Sequence, residues 1–215
     1  MRIQIRESRQ NPEPDPTFTY VGAVQEAVGP KIELLVDINN GYTVHRAIEV
    51  GKRLRDEFGI RYYEEPCSDQ FHENSAAVAA ALGGMAIIAG EKEYTRWQLR
   101  SLIVHGNVDY LNPDIVKAGG LTEMKKIAAL AQAFQKPIIC HNTRPTYSTA
   151  AALHYMASIS NAGPFMEYPD EDDFIDLIRL TRRDFKYDSG YLSVPQAPEL
   201  GVEIDEAALR ANLAK

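Results

Sequence analysis

The chain has 215 residues, of which 45% are hydrophobic and 25% charged, a composition typical of one globular domain with its own core. Its formal net charge of −7 argues against a protein that binds nucleic acid through a basic face. The sequence shows no apolar run long enough to span a membrane and no signal-peptide pattern. Cys67 and Cys140 form neither a disulfide framework nor a zinc motif, so we expect a reducing, cytoplasmic location.

Strand-like and helix-like segments alternate along the chain. Seven segments are predicted as strands: Arg2–Arg6, Ile32–Asp37, Arg61–Glu64, Ala86–Ala89, Tyr110–Asn112, Pro137–Cys140 and Phe165–Glu167. Amphipathic stretches between them predict helices, among them Val44–Phe58, Ala76–Leu82, Trp97–Val104, Leu121–Phe134 and Thr149–Ile159. Asp56-Glu57-Phe58-Gly59 is typical of a helix end with a C-terminal glycine.

This alternation predicts an α/β fold with a parallel sheet covered by helices. The repeat of about 27 residues is one strand–helix unit, and its regularity favours a (β/α)8-type TIM barrel over an open sheet. Only about seven strands can be counted, so we predict a partial barrel over residues 1–184. Residues 185–215 are predicted as a C-terminal tail that ends in a short helix.

Three acidic residues follow successive predicted strands at equal intervals. Asp37, Glu64 and Glu91 stand 27 residues apart, and each follows a short apolar run. The carboxyl ends of parallel strands meet at one rim of a barrel, so we expect these side chains there. A single such residue would more simply cap the next helix, but three in the same phase predict a site for Mg²⁺ or Mn²⁺, which prefer carboxylate oxygens.

The strand ends that follow add a candidate proton-transfer pair. Asp114 follows one predicted strand, His141 the next, and Glu167 ends the last. An aspartate beside a histidine fixes the tautomer of the ring and stabilises its protonated form. Such a histidine can act as a general base or acid near neutral pH, although a polar residue at a strand end is the simpler interpretation of His141 taken alone.

These residues resemble a known family. The strings Val36-Asp37-Ile38-Asn39-Asn40-Gly41, Glu64-Glu65-Pro66, Gly90-Glu91 and Pro113-Asp114-Ile115-Val116-Lys117-Ala118-Gly119-Gly120 are similar to those of the enolase superfamily. The Asp114–His141 pair with Glu167 resembles its mandelate racemase subgroup. The resemblance runs over nearly the whole chain. The muconate-lactonising branch would place a lysine where Asp114 stands and is therefore disfavoured.

The resemblance implies a role for each matched position. Asp37, Glu64 and Glu91 would hold one Mg²⁺ ion, which would bind the carboxylate of a small-molecule substrate. His141 would exchange a proton with the carbon next to that carboxylate, tuned by Asp114. Glu167 would hydrogen-bond to the carboxylate oxygen as it becomes an enediolate, and Asn39 and Lys117 would be neighbouring substrate contacts.

One departure from the subgroup bears on the reaction. Where the subgroup carries a Lys-x-Lys pair, this chain reads Gln4-Ile5-Arg6. Gln4 cannot act as a base, and Arg6 stays protonated. With one competent base we expect dehydration of a sugar acid, a lyase reaction; a racemase or epimerase of a 2-hydroxy acid and a non-catalytic barrel remnant stay open. Arg6 would either contact the substrate or cap its strand.

The second departure lies at the front of the chain. Family members carry an N-terminal capping domain and a first barrel strand, and neither is visible here. We therefore expect a second chain or a missing capping segment to complete the enzyme, with the tail of residues 185–215 packing against it. We also expect a homo-oligomer, no nucleic-acid partner and no membrane partner.

Overall fold

A parallel sheet with a helix after each strand forms the first part of the fold. The computed structural model describes residues 1–5, 10–143, 146–169, 185 and 187–213. Strands β1 (Arg2–Gln4), β2 (Leu35–Asp37), β3 (Tyr62–Glu64), β4 (Ala86–Ala89) and β5 (Tyr110–Leu111) lie side by side in chain order, all parallel. The helices between them are α1 (Thr17–Val28), α2 (Val44–Phe58), α3 (His72–Ala81) and α4 (Thr95–Gly106).

The middle strands are buried and hold the acidic residues in register. Val36 pairs with Tyr63 and Tyr63 with Ile87, and all three side chains are inaccessible to solvent. Strands buried on both faces are typical of a parallel sheet covered by helices. The same register pairs Asp37 with Glu64, so these carboxylates end neighbouring strands at the same edge.

Helix α2 has the bounds predicted from the sequence. Thr43 caps its start, with the hydroxyl accepting a hydrogen bond from the Arg46 N–H, and Gly59 follows its end in the left-handed conformation. Only glycine adopts that conformation without steric cost, which is why the helix ends there. Ala47, Val50 and Leu54 recur at helical spacing and are fully buried.

The later elements are α5 (Ile115–Ala118), α6 (Gly120–Ala133), α7 (Tyr147–Ala157), β6 (Tyr187–Asp188), β7 (Tyr191–Leu192) and α8 (Glu206–Leu213). Strands β6 and β7 form an antiparallel hairpin around the turn at Ser189-Gly190. The end of the hairpin and the residues after it pack against α7 and Phe185: Leu192, Val194 and Leu200 contact the buried cluster of Ala150, Leu153 and Phe185.

Two predicted strands do not form as regular strands. Among the described residues, neither Pro137–Cys140 nor Phe165–Glu167 is a regular strand, and Ile138 forms an isolated parallel bridge with Ala162. Pro137 has no N–H to donate, and Glu167 donates its N–H to the Cys140 carbonyl at a long 3.4 Å. The prediction of seven regular strands was therefore wrong at these two segments.

The chain divides into two compact units. The first comprises Met1–Gly90 and Trp97–Leu111, and the second comprises Glu91–Arg96 and Asn112–Lys215. The first unit carries the five-stranded sheet with Asp37 and Glu64. The second carries Glu91, Asp114, Lys117, His141 and Glu167. Within the described ranges, every helix is too short or too polar to cross a membrane.

Candidate active site

His141 in the second unit is held between two carboxylates. Its Nδ1 lies 2.8 Å from Asp114 Oδ2, and its Nε2 lies 2.6 Å from Glu91 Oε2. Glu167 Oε2 is 3.8 Å from the same Nε2. The ring is only 4% exposed. Each ring nitrogen therefore faces an acid inside a largely water-excluded pocket, which is the arrangement predicted for Asp114 and His141, with Glu91 as an additional partner.

This environment favours the protonated ring. Burial acts to lower the pKa of His141, but the hydrogen bonds to Asp114 and Glu91 and the charge of Glu167 outweigh it and raise the pKa to about 9. The pKa of Asp114 moves the opposite way. Burial acts to raise it, while the hydrogen bond and charge of His141 and the backbone N–H groups that follow hold it below the usual range.

The position of Asp114 follows from local backbone chemistry. Asp114 stands directly before α5, and its Oδ1 accepts hydrogen bonds from the N–H groups of Val116 at 2.7 Å and Lys117 at 3.2 Å. Aspartate is a favoured residue at this position because its side chain satisfies N–H groups that a helix start leaves without partners. The helix start thus fixes one oxygen, and the other points to His141.

Glu91 and Glu167 are each held by a second contact. Glu91 Oε1 lies 3.8 Å from Lys117 Nζ on α5. Glu167 Oε2 accepts a hydrogen bond of 3.2 Å from the backbone N–H of Asn142. The structure therefore brings together all five predicted residues of the second unit: Glu91, Asp114, Lys117, His141 and Glu167.

In the first unit, Asp37 and Glu64 are joined by an arginine. The guanidinium of Arg2 lies 2.6 Å from Asp37 Oδ2 through its Nη2 and 3.2 Å from Glu64 Oε2 through its Nε. Gln4 Nε2 donates a further hydrogen bond of 3.0 Å to Asp37 Oδ2. Both carboxylates are shielded from solvent. Two buried acids on adjacent strands therefore share a cationic partner.

Of the two remaining predicted substrate contacts, Asn39 is described by the structure and Arg6 is not. Asn39 follows β2 in the left-handed conformation, and its backbone N–H donates 2.7 Å to Asp37 Oδ1. Arg6 lies outside the described residues. Gln4, which the sequence excluded as a base, instead orients Asp37.

The first unit offers two ligands of the type that a divalent cation prefers. Asp37 and Glu64 offer carboxylate oxygens, the ligands that Mg²⁺ prefers, and their buried position already attracts positive charge in the form of Arg2. Among the described residues, no three histidine, cysteine or acidic side chains stand in an arrangement ready to hold a metal ion.

Sequence reasoning missed two participants. Arg2 was treated only as part of a strand, although alternation along β1 places it on the same side as Gln4. Asn142 follows His141 directly, is 3% exposed, and its Nδ2 donates to Thr149 Oγ1 at 2.8 Å and to the Glu167 carbonyl at 3.4 Å. The signal available in the sequence was an amide side chain directly after the candidate catalytic residue His141.

Comparison with known proteins identifies one family and several relatives of this chain. Residues 2–208 match the family described as Enolase C-terminal domain-like. The chain is 33% identical to arabinonate dehydratase of Saccharolobus solfataricus over 85% of its length and 48% of that protein. It is 33% identical to D-galactarolactone cycloisomerase of Agrobacterium fabrum over 88% of its length and 51% of that protein.

Solved structures show the same fold. A mandelate racemase/muconate lactonizing protein from Paracoccus denitrificans, complexed with magnesium, superposes with a TM-score of 0.87 and 32% identity, over 98% of this chain and 56% of that one. The (β/α) barrel architecture predicted from the sequence is thereby confirmed. This chain spans about half the length of the curated relatives it matches.

Proposed function

Because the chain belongs to the enolase C-terminal domain-like family, we propose that the protein takes part in the Mg²⁺-dependent dehydration of a sugar acid. The observation that carries this proposal is the placement of His141. Its ring is fixed by Asp114 on one side and faces Glu91 and Glu167 on the other. A buried histidine in such surroundings is suited to proton transfer at a carbon next to a carboxylate.

Asp37, Glu64 and Glu91 are the proposed ligands of the cation, with Mn²⁺ as an alternative to Mg²⁺. Asp37 and Glu64 are supported by their register and burial. Glu91 is supported by its position two residues after β4 and by the equal spacing of the three along the sequence. When bound, the cation would supply positive charge beside the substrate carboxylate and so lower the free energy of the enediolate that forms there.

The side chains of the second unit would carry the proton. The Nε2 of His141 would take the proton from the α-carbon after its contact with Glu91 has opened, because loss of that hydrogen bond lowers the pKa of His141 and favours the neutral ring. Asp114 would hold the Nδ1–H and stabilise the charged ring that results. Glu167 would hydrogen-bond to the developing enediolate oxygen, for which it must first take up a proton. Asn39, Lys117 and Arg6 would be polar contacts to the substrate.

The second half of the reaction would remove the β-hydroxyl group. The protonated His141 would return its proton to that oxygen, which would leave as water while the electron pair of the enediolate forms the new carbon–carbon double bond. The resulting enol would rearrange to a 2-keto acid. One histidine can serve both halves, which agrees with a chain that has Gln4 where a second base would be needed.

An isomerase reaction is the second candidate. One relative with 33% identity is a cycloisomerase, and isomerisation of a sugar acid, including racemisation or epimerisation of a 2-hydroxy acid, can start with the same proton abstraction. An enediolate that is reprotonated rather than dehydrated would give this outcome. It would exchange the α-proton with solvent without forming a 2-keto acid.

An assay with a panel of sugar acids separates these reactions. The chain is incubated with each acid and Mg²⁺, 2-keto acid formation is followed by absorbance after derivatisation, and α-proton exchange is followed by NMR in D₂O. We expect 2-keto acid that is abolished by EDTA and by His141→Ala. The matched control is His105→Ala, since His105 is exposed at the end of α4. Full turnover by His141→Ala would refute the mechanism, and exchange without 2-keto acid would favour the isomerase.

We further propose that a capping domain, supplied by a second chain or by a segment absent from this sequence, covers residues 185–215 in a homo-oligomer. Tyr187 and Tyr191 of the β6–β7 hairpin are 65% and 79% exposed. Two large exposed aromatic side chains on one hairpin are the kind of surface that a partner buries. Native mass measurement tests the assembly, and a stable monomer would count against it.

A further inference from the structure

Arg2 lies between Asp37 and Glu64, the two residues of the first unit that are proposed to hold the cation. Its Nη2 contacts Asp37 at 2.6 Å, and its Nε contacts Glu64 at 3.2 Å. The two carboxylates belong to adjacent strands in register and are buried. A single guanidinium therefore bridges the pair.

The charges explain why an arginine stands there. Two ionised carboxylates in a site of low dielectric constant repel each other strongly, and each has lost its hydration. A guanidinium between them offsets both effects. Arg2 itself is only partly buried, with 20% of its side chain exposed, so it can turn out to solvent at lower cost than a fully buried side chain.

We propose that Arg2 is a resident cation of this site, which holds Asp37 and Glu64 in place without a metal and competes with the divalent cation for them. This inference rests on the metal-binding part of the proposed function. Binding of Mg²⁺ would break the contacts of Arg2 with Asp37 and Glu64 and release the guanidinium toward solvent. The observed affinity for Mg²⁺ would then depend on how much more strongly the two carboxylates bind Mg²⁺ than they bind the Arg2 guanidinium. Arg2 would therefore lower this affinity.

The test measures Mg²⁺ binding directly and needs no substrate. The dissociation constant is determined by isothermal titration calorimetry for the native chain and for Arg2→Met, which keeps the apolar stem and removes the charge. We expect the variant to bind Mg²⁺ at least about tenfold more tightly, because a full positive charge within a few ångströms of the site has been removed. Without metal, its melting temperature should fall, and saturating Mg²⁺ should raise it by more than in the native chain.

Two controls isolate the position of the charge. Arg2→Lys keeps a cation beside the carboxylates and should stay within a few-fold of the native dissociation constant. Arg61→Met removes the same charge elsewhere in the first unit, where Arg61 is exposed and paired with Glu33. It should leave the affinity unchanged within about twofold, because exposed charges at a distance are screened.

A measurement on the native chain covers the case in which Arg2→Met does not fold. The Nε of Arg2 is shielded from solvent and lies 3.2 Å from Glu64 Oε2, so exchange of its hydrogen with water should be slow in NMR spectra and become fast on addition of Mg²⁺. Unchanged or weaker Mg²⁺ binding by Arg2→Met, or slow Nε–H exchange at saturating Mg²⁺, would overturn the inference. Absence of 2-keto acid together with the expected binding would overturn only the proposed reaction.

Discussion

Asp114 uses its two carboxylate oxygens for two different purposes. Oδ1 accepts the N–H groups of Val116 and Lys117 at the start of α5, and Oδ2 contacts His141. The two backbone hydrogen bonds fix the orientation of the Asp114 side chain independently of its contact with His141. The geometry of the proposed proton-transfer pair is therefore built into the start of a helix, and a single substitution can separate the two roles.

Replacement Asp114→Asn should abolish most of the activity while the fold remains. The amide keeps an oxygen for α5, but its NH₂ group would face His141 Nδ1, which must then be an acceptor. The proton of the neutral ring would then sit on Nε2, the atom proposed to take the substrate proton. We expect 2-keto acid formation to fall by on the order of 10²- to 10⁴-fold, with an unchanged circular dichroism spectrum.

The matched control for this change is Asp205→Asn. Asp205 precedes α8, and its Oδ1 accepts the N–H of Ala208 at 3.0 Å, so it has the same capping role at a different helix. This variant should keep full turnover. Equal losses in the two variants would mean that the effect of Asp114→Asn is structural.

At the scale of elements, a buried hydrogen bond links the segment that carries His141 to α7. Asn142 Nδ2 donates to the hydroxyl of Thr149 on the first turn of α7 and, less closely, to the carbonyl of Glu167. Both Asn142 and Thr149 are buried. Since Asn142 also donates its backbone N–H to Glu167 Oε2, this contact joins α7 to the surroundings of two proposed catalytic residues.

Replacement Thr149→Val should destabilise the chain by about 1–3 kcal/mol, because it leaves a buried NH₂ group without its shortest hydrogen bond. The side chain keeps its shape, so no cavity forms. Urea unfolding followed by circular dichroism measures the change. Thr149→Ser keeps the hydroxyl and should retain most of that hydrogen-bond energy. A Val variant as stable as the Ser variant would show that the hydrogen bond contributes nothing measurable.

The sequence predicts those elements best whose signals are local. The ends of β2, β3 and β4 and the bounds of α2 follow from apolar runs, capping residues and Gly59, all within a few positions of the element concerned. The segment Pro137–Cys140 has the apolar composition of a strand, but among the described residues it forms an isolated bridge instead of a ladder, because pairing depends on neighbours distant in sequence. Helix α5 was not predicted, since four residues are too few for a periodic signal.

For the candidate site, residue identities could be predicted and pairings could not. Repeated acidic residues at strand ends indicated Asp37, Glu64, Glu91 and Asp114. The contact of Glu91 with His141 and the bridge from Arg2 to both Asp37 and Glu64 depend on side-chain directions that no local pattern encodes. The assignment of Asp37, Glu64 and Glu91 as metal ligands stays a prediction.

At the scale of the whole molecule, stability in acid depends on carboxylates that are paired in the fold. Asp15 accepts hydrogen bonds from the Thr17 N–H, Tyr42 and Arg46, and so joins the start of α1 to α2. Burial acts to raise the pKa of Asp15, but these hydrogen bonds together hold it below the ordinary value of 3.8. A lowered pKa in the folded state means that the ionised carboxylate stabilises the fold above pH 3.8, and that this contribution is lost as the pH falls through the folded-state pKa.

Replacement Asp15→Asn should therefore lower the free energy of unfolding at pH 7, by about 2 kcal/mol for the loss of charge-assisted hydrogen bonds. The difference from the native chain should persist at pH 5 and shrink as the pH is lowered below 3.8. Urea titrations at each pH measure it. The exposed Asp56→Asn is a suitable control, since Asp56 contacts only its neighbour Arg55 among the described side-chain partners. A difference that grew toward low pH would contradict the assignment.

The double use of Asp114 has a consequence for the evolution of such chains. A lineage that stopped catalysing would still be selected to keep Asp114, because the start of α5 depends on its oxygen. His141 makes no such contribution to a helix start, and it would be free to drift earlier. The presence of Asp114 in a related sequence is therefore weak evidence that the relative is active, whereas an intact His141 is the more informative marker.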